Sequence, residues 1–152
     1  MDALEMLESE HRDIEALLAK VDKAKGTRAR HLIQELKDRV DLIEQLEEEY
    51  LFTPLRHDED AKDMVLEGFS AHDLVDRLLG ELSELKPDDE LWRPKVHLLK
   101  ENLEHHIREE ETQLFPRVRM IWDDDKRRHL YRKMEQLKAR IKKARQIGLL
   151  PA

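Results

Sequence analysis

Residues four apart on a helix lie about 40° apart on one face, and His106 and Glu110 stand at that spacing. Glu44 and Glu48 repeat it earlier in the chain with two carboxylates. Two more histidines head matching segments, His11-Arg12-Asp13-Ile14-Glu15-Ala16-Leu17-Leu18 and His72-Asp73-Leu74-Val75-Asp76-Arg77-Leu78-Leu79, at an offset of 61. An offset of 62 places Leu36 on Leu98, Glu47-Glu48-Glu49 on Glu109-Glu110-Glu111, Phe52 on Leu114 and Pro54 on Pro116. The chain therefore reads as a duplicated helical hairpin, each half offering a histidine on its first helix and an acidic cluster on its second, closed by a proline. If the helices pack as a bundle, His11, Glu44, Glu48, His72, His106 and Glu110 project inward at similar depth. Carboxylates buried without compensation cost several kcal/mol each, so such a cluster calls for cations or dense pairing. Cysteine is absent. Imidazole with carboxylate and no thiolate suits iron, manganese or zinc, and carboxylates on facing helices of a bundle are the usual home of a two-metal centre. Open coordination positions there would take dioxygen, peroxide or nitric oxide.

The elements that must position these groups are helices. Of the 152 residues 41% are charged and 5% aromatic, with four Gly and five Pro, a mixture that suits long helices with one buried stripe and disfavours a strand-rich fold. Leu4, Leu7, Ile14, Leu17, Leu18 and Val21 define a first helix that stops near Lys25-Gly26. A second is expected from Arg28 to Phe52, ended by Pro54, and a third from Asp60 to Leu85 with Gly68 as a weak point. The fourth begins between Asp89 and Pro94 and runs to Phe115 or onward to Trp122. Asp123, Asp124 and Asp125 cap a fifth, from Lys126 to Ile147. The expected fold is all-α: a four-helix up-down antiparallel bundle over 1–122, with a basic C-terminal helix over 123–152.

Charge divides the chain at the same place. Residues 1–116 carry 16 basic and 31 acidic side chains, net −15, whereas 117–152 carry 12 and 4, net +8. Along the basic helix Leu130, Met134, Leu137, Ile141 and Ala144 form one apolar seam, expected to pack on the acidic bundle or to pair with a second copy in a homo-oligomer. No base-stacking aromatics accompany the positive charge, which argues against nucleic acid as a partner. No apolar run reaches the roughly 18 residues of a membrane span, and Met-Asp-Ala-Leu-Glu lacks the features of a signal peptide; a cytoplasmic protein is expected.

His105-His106-Ile107-Arg108-Glu109-Glu110-Glu111-Thr112-Gln113-Leu114-Phe115-Pro116, with the related acidic motif before Pro54 and the paired His11 and His72, resembles the hemerythrin-like (HHE cation-binding) family over residues 5–120. The resemblance implies a non-haem di-iron centre, manganese or zinc being the lesser alternatives. His11, His72 and His106 would be terminal ligands, and Glu48 and Glu110 bridging carboxylates. Glu44 stands where the family's first motif has histidine, and Asp76 where oxygen carriers have a second histidine on the third helix. Both departures weigh against reversible oxygen transport and towards peroxide-consuming or ferrous-oxidising chemistry, with Glu44 either a substitute ligand or the mark of a weak or empty metal position, and Asp76 and Glu15 as outer-shell or substitute groups. The rival expectations are a metal-poor helical interaction module and an iron store or sensor.

Overall fold

The computed structural model describes residues 1–150 and is helical throughout its regular structure. Helix α1 spans Ala3–Lys23 and α2 spans Gly26–Glu47, where the chain continues through a π-helical turn, Glu48–Phe52, into the short α3, Thr53–Leu55. Helix α4 is Lys62–Glu84. Helix α5, Trp92–Glu109, passes through a second π-helical turn, Glu110–Leu114, into α6, Phe115–Ile121, and α7 is Asp124–Gln146. In cyclic order α1, α2, α4 and α5 each touch the next, which closes the four-helix bundle expected from short connections.

The two π turns answer to the prolines. Pro54 and Pro116 donate no amide hydrogen and would collide with the carbonyl four residues back in a regular helix. Widening the turn removes the conflict: Thr53 N–H bonds Glu48 O and Phe115 N–H bonds Glu110 O, five residues apart. Pro54 was expected to end the second helix; instead the helical path bulges and continues to Leu55. Gly68 likewise is not a weak point but a close approach. A Cβ there would sit 2.6 Å from the Phe52 ring, so glycine lets α4 lie directly on that ring.

Helix α7 starts where Asp123 accepts the Lys126 amide hydrogen at 2.9 Å, and it lies against α1 and α2. Its seam is buried at Leu130, Met134 and Ile141. Lys138 donates to the buried Glu10 at 2.9 Å, and Arg39 of α2 reaches the other Glu10 oxygen at 3.3 Å, so one carboxylate of α1 ties three helices together. At the other end Arg127 Nε donates to Asp2, the residue that caps α1. Among the described residues no helix is long and apolar enough to cross a membrane.

Candidate metal centre

At the middle of the bundle the structure gathers His11 of α1, Glu47 of α2, His72 of α4, and His106 of α5 with Glu110 just beyond it, all at most 8% exposed. Glu47 is the hub. Its Oε1 lies 2.9 Å from His72 Nε2 and 3.9 Å from His106 Nε2, while its Oε2 lies 3.3 Å from His11 Nε2. Glu110 Oε1 sits between His106 Nε2, at 3.0 Å, and His11 Nε2, at 3.6 Å. Donor atoms thus fall into two groups, Glu47 with His72 and His106, and Glu47 with His11 and Glu110, each within 4.8 Å.

A second ring of carboxylates fixes the imidazoles. His72 Nδ1 is 2.7 Å from Glu48 and His11 Nδ1 is 2.7 Å from Glu111, so each Nε2 is left to face the hub. Phe52 stacks on His72 at 5.1 Å and Phe115 on His11 at 6.0 Å, the same device in both halves. The electrostatics follow from this crowding. Burial alone would lower the pKa of His11, but the adjacent carboxylates of Glu110, Glu111 and Glu47 outweigh it and hold it well above the ordinary value. Burial likewise lowers the pKa of His106, but Glu110 and Glu47 outweigh it and raise it to about 10. His72 is raised against burial by Glu47 and Glu48. Glu47 is held well below the usual carboxylate range by His106, His11 and His72, despite a desolvation that pushes the other way.

This internal pairing is incomplete. Although Glu110 Oε1 lies close to both rings, neither Glu110 oxygen nor His106 Nε2 makes a well-directed hydrogen bond, and buried polar atoms left in this state are costly. Three imidazoles and two carboxylates, with those atoms free, fit a cation of the iron, manganese or zinc class.

The expected ligand positions divide. His11, His72, His106 and Glu110 are brought together. Glu48 is not at the hub: its side chain is 41% exposed and supports His72 from outside, while Glu47, one residue earlier and 1% exposed, occupies the centre. Glu44 also points elsewhere, into a cluster with Asp41 and Asp76. The repeat register explains both shifts. Counting back from the prolines gave an offset of 62, but the first half has one more residue between its acid and its proline. An offset of 63 puts Glu47-Glu48 on Glu110-Glu111 and Leu51-Phe52 on Leu114-Phe115. It also pairs the buried Leu36 with the buried Leu99 rather than with Leu98, which is 46% exposed. The counterpart of His106 is then Ile43, a buried apolar residue, and not Glu44. The repeated Leu-Phe pair was the signal in the sequence that fixes this register. His31, His57, His97, His105 and His129 are exposed.

A family model described as the hemerythrin HHE cation binding domain matches residues 2–118. The chain belongs to that family. A crystal structure of a hemerythrin HHE cation-binding domain-containing protein from Mycobacterium kansasii superposes with a TM-score of 0.81 at 23% identity, covering 98% of this chain and 90% of that one. At that identity the likeness bears on the fold, and its reach shows that α7 lies inside the shared architecture. No protein of curated function matches the chain. As an HHE-domain protein the chain is a helical member of a cation-binding family, and its buried His/Glu groups are where a cation has donors.

Proposed function

We propose that this HHE domain holds two non-haem iron ions on His11, Glu47, His72, His106 and Glu110, and that it binds or reacts with a small ligand such as peroxide, dioxygen or nitric oxide. The observation that carries the reading is the split of Glu47, whose two oxygens face different donor groups as a bridging carboxylate must. Glu48 and Glu111 then act from outside the ligand ring, orienting His72 and His11. Bound iron would supply Lewis acidity and one-electron redox chemistry.

The chain's own residues set the conditions for that chemistry. Phe52, Leu114 and Phe115, at most 2% exposed, keep water from the hub. A cavity of about 360 Å³ between α4 and α5 is lined by Met64, Gly68, His106 and Glu110 and gives a small ligand a way in. The raised histidine pKa values mean that protons hold the cation's place before loading and leave as it binds. The two carboxylates stabilise ferric iron relative to an all-imidazole set, which supports oxidant-consuming chemistry.

Protein loaded anaerobically with ferrous ion and mixed with hydrogen peroxide tests this. The expected result is a change in the visible iron absorption with consumption of peroxide. An iron-loaded protein inert to peroxide, dioxygen and nitric oxide would contradict the reading. Ile43 in place of an imidazole favours a second reading, a metal-poor interaction module, for which the expected product of the same loading is an iron-free protein.

A further inference from the structure

We propose that Asp41, Glu44 and Asp76 form a second cation site, built of oxygen donors alone and suited to a hard divalent ion of the manganese, calcium or magnesium class. The three residues offer carboxylate oxygens within 4.8 Å of one another. Opposed oxygens around a calcium-sized ion, at about 2.3–2.6 Å each, stand about 5 Å apart, so the cluster has the right span.

The placement follows from the antiparallel pairing of α2 and α4. Glu44 precedes Glu47 by three residues, and Asp76 follows His72 by four. Both are therefore displaced in the same direction, by about one helical turn of roughly 5 Å, from the histidine hub. Asp41, one turn earlier on α2, completes the group.

The second observation is Glu44 itself. It is 7% exposed, and its Oε2 is buried with no hydrogen-bond partner. A carboxylate so placed is a liability unless a cation or a proton meets it. In the absence of a metal the proton does so: burial first, then Asp76, Asp41 and Glu47, raise the Glu44 pKa to about 11. A divalent ion would displace that proton and satisfy the free oxygen. Solvent reaches the group through a cavity of about 280 Å³ lined by Asp41, Glu44, Glu48, Lys37 and Arg145. Lys37 lies 3.3 Å from Asp41 and is the competing cation; Arg145 is turned to the Asp38 carbonyl.

Donor chemistry separates this site from the hub. Imidazole-containing groups favour iron and zinc, whereas carboxylate oxygens alone suit manganese, magnesium and calcium. The inference does not depend on iron occupying the hub. Full-length protein stripped with chelator, saturated with zinc and then titrated with Mn²⁺, with free Mn²⁺ read by electron paramagnetic resonance, tests it. We expect one Mn²⁺ per chain, weakened tenfold or more in Glu44→Gln and in Asp76→Asn, with zinc content unchanged in both; Lys37→Ala should tighten it. No Mn²⁺ bound by the wild type below millimolar concentration, or equal affinity in the wild type and Asp76→Asn, would overturn the proposal. Asp76 is exposed, so its variant decides even if Glu44→Gln fails to fold. A hub that takes no zinc would count against the iron reading and leave this result intact.

Discussion

A carboxylate as buried as Glu47 ordinarily takes up a proton. Here the imidazoles of His106, His11 and His72 hold it ionised against desolvation. Neighbouring acids in the same run have other tasks: Glu48 anchors His72, and Glu44 belongs to a separate group. That division was illegible locally, because a run of three glutamates carries no mark of which one is buried. The residue types gathered at the hub, and four of its five positions, could be read from the sequence, since histidines at repeat spacing stand out. The acid at the centre of the hub could not be read by counting from proline, because the residue added before Pro54 shifts the count by one. The repeat also locates what the hub lacks. Ile43 is buried four residues before Glu47, as His106 is four before Glu110, so Ile43→His should add an imidazole to the hub. The expected outcome is metal binding tighter by roughly tenfold, about 1.4 kcal/mol, measured by competition with a chelator. Unchanged affinity would mean that position 43 does not face the hub.

At the scale of elements, each hairpin carries the same joint: a π turn at a proline and a phenylalanine stacked on the other hairpin's histidine. Helix boundaries were legible to within a few residues because apolar spacing and caps such as Asp123 mark them. The π turns were not, since proline reads equally as a stop or as a bulge. Gly68 is where the joint is tightest. In Gly68→Ala the added methyl would overlap Phe52, which is fully buried and stacks on His72. Overpacking of this kind should cost about 1–3 kcal/mol, seen as a lower denaturation midpoint in urea. The displaced ring should also weaken metal binding through His72. A variant as stable as the wild type would show that Phe52 has room to move.

Over the whole molecule the charge pattern separates into three uses. Most acids solvate the bundle, Glu10 receives Lys138 and Arg39 to dock α7, and the hub acids meet histidines or a metal. The hub makes the metal-free protein's stability depend on pH. His11, His72 and His106 have raised pKa values, so their contribution is complete below about 6.5 and is lost as pH rises, through about 10 for His106. Glu47 is lowered, so its contribution is present above about 4.5 and is lost on acidification below that. Glu44, raised from 4.5 to about 11, keeps its proton where the unfolded chain has lost it, so its contribution falls progressively from about pH 4.5 up to about pH 11. Maximum stability of the stripped protein should therefore lie near about pH 4.5, with the midpoint falling towards pH 10. Glu44→Gln should flatten part of that fall. Metal at the hub should remove much of it, because the histidines are then neutral ligands. A melting temperature independent of pH between 6 and 10 would contradict this balance.

In the proposed di-iron centre Glu47, and not its neighbour Glu48, joins the two donor groups. Iron content after anaerobic ferrous loading and desalting, compared in wild type, Glu47→Gln and Glu48→Gln, tests it most directly. Two irons per chain are expected in the wild type, fewer than one in Glu47→Gln, and close to two, more weakly held, in Glu48→Gln. An iron-free wild type, or a Glu47→Gln protein that keeps both irons, would contradict the account.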